Sequence, residues 1–239
     1  MSRISGPHGP RPPEAPPAQS PASPPGVPGG ESNRDDKVWP SETGGGRMAA
    51  SRYPNYDVMA HAGAWDPHTR SIVERRLDPP KKPAFLTPAE AQALRAAVTH
   101  LVDEDRDDIL GYILSHIDEQ LASPVGEAQR KEGVPPQAQL IREGLAALDE
   151  MAREREGTPF AECSPEAQAA ILSGLQAGSP LQEFFQKLLS LSVEALASHP
   201  TIWSEIGYGG PAYPRGYYRI EAGVTDPWEA RAEDTDQGS

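Results

Sequence analysis

The sequence predicts an all-α domain, a compact bundle of about five helices with an irregular arm on either side. Three observations carry this. Apolar residues recur every three to four positions in five separate stretches, the spacing that lines one face of a helix. Three of these stretches open on Ser or Thr followed by Pro, a helix-start signal. No stretch alternates apolar and polar residues long enough to make a half-buried strand.

The first helix starts within PAFLTPAEAQALRAAVTHLV. Thr87 is the expected N-cap, Pro88 takes the first helical position, and Glu90 completes a capping box. Leu94, Val98 and Leu101 follow at helical spacing. The charged run Asp103 to Asp108 is expected to be a solvated turn, with Asp107 and Asp108 well placed at the next helix N-terminus. Ile109, Ile113, Ile117 and Leu121 form the stripe of the second helix, with Leu110 and Leu114 beside it. SPVGEAQRKEGVPP, residues 123–136, reads as a polar loop. The third helix is expected from Pro135 or Pro136 to about Glu156. Ile141, Leu145, Leu148 and Met151 make its apolar face, and Gly157 suits its C-cap. The fourth opens at Ser164-Pro165, carries Ile171, Leu172 and Leu175, and stops at Gly178. The fifth opens on a second capping box, Ser179-Pro180-Leu181-Gln182. It carries Phe184, Phe185, Leu188, Leu189, Val193 and Leu196, and ends at His199-Pro200.

Composition divides the chain of 239 residues. Residues 1–50 hold eleven of the 27 prolines and eight of the 22 glycines, with almost no large apolar residue. Such a segment buries too little surface to offset the entropy of ordering, so a disordered tail is expected. Alternatively, the GGGR before Met48 is what a purine-rich ribosome site would read if translated. Synthesis would then start at Met48, and residues 1–47 would not be made. Residues 51–84 form the N-terminal arm, 85–199 the helical domain, and 200–232 an aromatic, Gly/Pro-rich C-terminal arm packed on it.

The formal net charge is -13, and the first 50 residues are balanced, so the excess lies in residues 51–239, with 17 basic against 30 acidic side chains. That surface repels a phosphate backbone and disfavours nucleic acid and anionic membranes. A single cysteine, Cys163, allows no internal disulfide and no thiolate cluster. No apolar run reaches the roughly 20 residues that span a bilayer. No secretory signal is recognisable, so a cytoplasmic location is expected, or export only in company with a partner.

The oddest stretch is IGYGGPAYPRGYYRI, residues 206–220, with four of the seven tyrosines and four glycines. A phosphate-binding loop would need a strand before these glycines and a helix after them. Here a helix precedes, and Pro211 and Pro214 impede a helix after. DEDRDD lacks the glycine and glutamate of a calcium loop. His8, His61, His68, His100, His116 and His199 share no metal-ligand spacing on one helix. His100 and His116, on neighbouring helices, are expected to stand apart. Cys163 is expected to be a small buried residue. No catalytic, cofactor-binding or metal-ligating residue is assigned.

Four stretches point to a family: FLTPAEAQALRAAVTHLV, HIDEQLA, IREGLAALDEMARE and GTPFAECSPEAQAAIL. Their order and content resemble the gluconate 2-dehydrogenase subunit 3 family. YDVMAHAGAWDPHTRSIVERRL and the ending HPTIWSEIGYGGPAYPRGYYRI with DPWE resemble one branch of it, so the likeness runs over about residues 53–229. The resemblance implies a small accessory subunit without a cofactor of its own. It implies a large flavin-dependent partner of the glucose–methanol–choline oxidoreductase (GMC) type. That partner holds FAD, oxidises a sugar or sugar acid, and often works with a cytochrome c subunit. The small subunit would support its folding, stability or export. The alternatives are a stand-alone helical enzyme using His and carboxylate groups, and an assembly factor that leaves the mature complex.

Tyr, Trp and Arg dominate interface hot spots. Trp203, Glu205, Tyr208, Tyr213, Arg215, Tyr217 and Arg219 are therefore candidate partner contacts, together with Trp65 and Trp228. The same residues could instead seal the arms onto their own bundle, and both readings stand.

Overall fold

A computed structural model describes residues 51–123, 131–176, 178–217, 219 and 224–231. The expected disordered tail, 1–50, the alternative start at Met48 and part of the loop at 123–136 lie outside the described residues. Among the described residues there are seven α-helices, three short 3-10 helices and no strand. The α-helices are α1 (Pro67–Glu74), α2 (Pro88–Val102), α3 (Asp107–Ala122), α4 (Gln137–Glu156), α5 (Pro165–Ser173), α6 (Gln182–Ser198) and α7 (Pro200–Ile206). The all-α class is as expected, with more helices than five.

The additional elements come from the arms, except the 3-10 helix Phe160–Glu162 between α4 and α5. Val58–Ala64 and Arg75–Leu77 are 3-10 helices, and α1 and α7 are α-helices of two turns. They are too short for an apolar stripe to repeat, so periodicity could not find them. Their caps were legible. Asp66 accepts from the N–H groups of His68 and Thr69 with Pro67 at the first helical position. His199 caps α7 in the same way, its Nδ1 accepting from the Thr201 N–H at 3.3 Å. His199-Pro200 thus ends α6 and also starts α7.

α2 begins as its sequence requires. Thr87 Oγ1 accepts from the Glu90 N–H at 3.3 Å, and Glu90 Oε2 from the Thr87 N–H at 2.7 Å. Three boundaries and one burial differ from expectation. α4 starts at Gln137, because Pro136 is its extended N-cap at φ -51°, ψ 145°, and Pro135 is kept from helical backbone by the proline after it. α5 stops at Gly174, short of Gly178. Ser179 makes no capping box. Its Oγ accepts from the Leu181 N–H, and Gln182 Oε1 turns back to the Gly178 N–H, so α6 opens behind Leu181 without a side-chain cap. Val193, expected on the apolar face of α6, is exposed.

One apolar core joins α2 to α6 and is closed by Phe160 and Ile202. α6 lies at its centre, packed against α2, α3, α4 and α7. Close approach is possible at Gly144 because it has no side chain. A Cβ there would fall 2.0 Å from the ring of the buried Phe184 on α6.

Three polar residues of the family-like motifs are braces within this core. Asp118 on α3 is buried and accepts from the N–H groups of Ala84, Phe85 and Leu86, at 2.6, 3.1 and 2.9 Å. It thereby anchors the entry to α2. Asp149 on α4 accepts from the Phe160 N–H at 3.0 Å. Gln168 on α5 donates to the carbonyls of Phe160 and Cys163, and its Oε1 meets His100 Nε2 at 2.9 Å. These residues tie separate elements of the bundle together.

Candidate partner interface

The two arms meet and build a second, smaller core from Tyr56, Val58, Ala62, Trp65, Val73, Trp203 and Ala230. The seam is stitched by hydrogen bonds between residues far apart in sequence. Ser51 Oγ donates to the Glu205 carbonyl at 3.1 Å, the Val58 N–H to Ser204 Oγ at 3.1 Å, and Tyr56 Oη to the Trp228 carbonyl at 2.6 Å. Two glycines of IGYGGP allow this contact. Gly207 has φ +73° and ends α7, and a Cβ there would lie 2.6 Å from Tyr53. Gly210 has φ +75°, and a Cβ there would lie 2.7 Å from Trp65. Both positions need left-handed backbone and close approach, which only glycine supplies without strain.

Arg215 is the pin of the C-terminal arm. Its guanidinium lies 4.4 Å from the Trp228 ring centroid and 5.9 Å from that of Trp65. One terminal nitrogen donates to the Gly209 carbonyl. Among the described residues Arg215 Nε and Nη1 are buried without a hydrogen-bond partner, as is Trp65 Nε1. Burial pushes the Arg215 pKa down, opposed by Tyr56, Tyr208, Tyr217 and Asp226. Stacking between indoles takes the place of an ion pair for this cation.

A salt-bridge triad ties α7 to the start of α3. Arg106 donates to Glu104 Oε1 and Oε2 at 2.9 and 2.6 Å, and to both carboxylate oxygens of Glu205. The two carboxylates raise the Arg106 pKa. Glu104 is buried, which alone would raise its pKa. The hydrogen bonds from Arg106 and from two backbone N–H groups outweigh that and hold it below the ordinary carboxylate value. The DEDRDD turn, expected to be solvated, is therefore buried at Glu104. Asp103 stops α2 in the left-handed region at φ 50°.

The structure sorts the nine candidate contacts into three groups. Trp65, Trp203, Trp228 and Arg215 are buried in their own fold, each exposed by 9 % or less. Glu205 is half-buried in the triad. Tyr208, Tyr213, Tyr217 and Arg219 are exposed, with Tyr213 at 70 % and Tyr217 at 58 %. Ile206 and Val224 are exposed near them in sequence. Tyr208 stands edge-on to Trp203, with ring centroids 5.5 Å apart. Burial, then Tyr217, raises its pKa. The sequence reading missed Arg106, Ser204 and Tyr56, which hold the platform. A lone arginine inside an acidic run was the available signal for the first.

Elsewhere, the Tyr112 ring packs against both His116 and His199, with centroids 5.7 and 5.1 Å apart. His100 pairs with Gln168 and His116 with Gln120, so these two histidines stand apart as expected. Cys163, half-buried, has its Sγ 3.4 Å from the Pro159 carbonyl. Among the described residues no group of three His, Cys, Asp or Glu side chains could hold a metal ion. Among them, too, no helix is long and apolar enough to cross a membrane.

Comparison with curated proteins and with solved structures gives no match. The family model for gluconate 2-dehydrogenase subunit 3 matches residues 88–210, from the first residue of α2 to the last glycine of IGYGGP. That span holds the main bundle and α7. It is narrower than the likeness read from the sequence, and it leaves most of the arm-built core outside. The chain belongs to the gluconate 2-dehydrogenase subunit 3 family.

Proposed function

We propose that this chain is a non-catalytic accessory subunit that binds a large, FAD-holding dehydrogenase of the GMC type through the exposed tyrosine face of its C-terminal arm. The family is a subunit of a gluconate dehydrogenase complex, which implies a dehydrogenase partner. One observation carries the choice of surface. Tyr208, Tyr213 and Tyr217 are exposed, as are Ile206 and Val224, in an arm whose residues Trp203, Arg215 and Trp228 are buried. Outward tyrosines on a supported backbone lose little entropy when a partner covers them.

In this reading the small subunit supplies a rigid, charged scaffold that steadies the folding and stability of the large one. It acts in whichever compartment holds the complex, and it is exported only together with the large chain. A cytochrome c subunit would join the complex through the large chain.

The test is co-expression with a GMC-type flavin dehydrogenase from the same organism. The two chains should copurify, with flavin absorbance following the large chain alone. Tyr213→Ala combined with Tyr217→Ala should abolish copurification while leaving the small chain folded. Copurification unaffected by that pair would overturn the assigned surface, and no association with the wild-type chain would overturn the role. Release of the small chain from the active enzyme would make it an assembly factor instead.

A further inference from the structure

Basic residues are scarce in this acidic chain, and they are not spread evenly. Residues 70–82 hold five of the 17 Lys and Arg side chains of residues 51–239, with two acidic residues among them. The end of α1 and the extended segment after it bring this group against the middle of α3. There they enclose a cavity of about 350 Å³, lined by Arg75, Arg76, Lys81, Tyr112, Ser115 and His116. We propose that this cavity is a carboxylate-binding site that receives an acidic segment of the partner subunit.

The walls of the cavity are held in place. The Lys81 N–H donates to Ser115 Oγ at 3.1 Å, and Lys81 Nζ pairs with Glu119 at 2.6 Å. Pro80 packs where a Cβ on Gly111 would be, 2.8 Å away. Arg76 Nη1 donates to the Ser198 carbonyl at 2.7 Å, and its guanidinium lies 5.3 Å from the Trp203 centroid. Arg75 spends its Nε–H on the Ser71 carbonyl of its own helix. Both arginines keep further N–H donors, and neither is ion-paired among the described residues.

The charge of the site selects the ligand. Among the lining side chains Arg75, Arg76 and Lys81 outnumber Asp78 and Glu119 by one, Lys81 being paired with Glu119, while Glu194 acts on His116 from α6. One excess charge suits a single carboxylate better than a dianionic phosphate, and two guanidinium forks match a planar carboxylate. Gln120 Nε2 lies 2.8 Å from His116 Nε2, so that ring nitrogen accepts and the neutral ring carries its proton on Nδ1. Burial, then Arg76, pushes the His116 pKa down against the opposing pull of Glu194 and Glu119. An anion bound beside Arg76 would reverse part of that shift, which makes His116 a reporter of occupancy.

The site also borders the tyrosine face. Arg76 stacks on Trp203, and Trp203 meets Tyr208 edge-on. Trp203 thus links the cavity arginine to the base of the C-terminal arm.

The inference rests on the accessory-subunit reading for the identity of the partner alone, and its test uses the isolated full chain. Hexaglutamate is titrated in while the His116 ring resonances are followed by NMR across pH. Binding should raise the His116 pKa, and hexaglutamine should not bind. Arg75→Ala combined with Arg76→Ala should weaken binding by at least about tenfold. Arg75→Ala alone, which touches only its own helix, should weaken it with the fold intact. No His116 response, or unchanged affinity in both variants, would overturn the site. Acetate binding as tightly as the peptide would overturn the partner segment in favour of a free carboxylate. If hexaglutamate binds but the tyrosine variant still copurifies with the dehydrogenase, the assigned tyrosine surface fails and the carboxylate site stands.

Discussion

Arg106 grips Glu205 across 99 positions of sequence, with two guanidinium nitrogens on the two carboxylate oxygens. The same guanidinium holds the buried Glu104. Arg106→Ala would leave Glu104 charged and buried without a counter-ion, and would release α7. The expected loss is on the order of 2–3 kcal/mol, below the value for a fully buried pair because Arg106 stays partly exposed. Glu205→Gln should cost less, since Glu104 keeps its partner. Urea unfolding of the three proteins measures both, and equal losses would contradict the triad.

Acid should loosen α7. Burial, then Arg106, lowers the His199 pKa, while Asp108, Glu205 and Glu104 oppose that shift. Burial likewise lowers that of His116. A group with a depressed folded pKa is protonated first in the unfolded chain. The stability it contributes is therefore complete above its unfolded pKa, near 6.5, and is lost as pH falls through the folded pKa. Protonation also removes the Nδ1 acceptor that caps α7 and puts a positive charge at a helix N-terminus. Thermal melts from pH 7.5 to 5 should fall with pH, and His199→Asn, which keeps a capping acceptor, should flatten part of the slope. An unchanged slope in that variant would assign the effect to His116.

Gly144→Ala should destabilise the bundle although alanine favours helices. The new Cβ would meet the Phe184 ring at 2.0 Å, and that ring is fully buried with nowhere to turn. Overpacking of this kind costs about 1–3 kcal/mol. A melting temperature equal to the wild type would mean that α4 and α6 can separate at no cost. Gly174→Ala is the control, because nothing lies closer than 3.3 Å there.

Asp118→Ala should detach the entry to α2. It removes the acceptor of three backbone N–H groups at residues 84–86. Leaving these donors unpaired in a partly buried segment costs on the order of 2–4 kcal/mol. Asp118→Asn should recover part of this, since one amide oxygen remains as acceptor. Hydrogen exchange at Ala84, Phe85 and Leu86 reports it directly: protection should fall in the alanine variant before global stability fails.

The helices of the bundle were legible because each carries a stripe long enough to repeat and most carry a cap. Thr87 with Glu90 predicted the start of α2 to the residue. Gly157 predicted the end of α4. The errors fell where two local choices compete. Ser179 can cap a helix or a turn, and the turn wins because Gln182 bonds back to Gly178. The candidate surface was only half legible. Composition marked IGYGGPAYPRGYYRI as aromatic and glycine-rich, but it gave Trp203 and Tyr213 the same weight. Burial separates them, with Trp203 in the arm core and Tyr213 exposed.

By itself, the sequence determined the all-α class, the order of the main helices, the acidic balance and the family likeness, because these follow from periodicity, caps, charge and motif order along one chain. Tertiary structure decided the rest. The union of two arms some 150 residues apart depends on contacts such as Ser51 with Glu205 and Val58 with Ser204, which no local pattern encodes. The indoles that hold Arg215 and the cavity that gathers Arg75 and Arg76 beside His116 arise only when distant segments pack. Local preferences are set by neighbours in sequence. A binding surface is set by which side chains packing leaves outside.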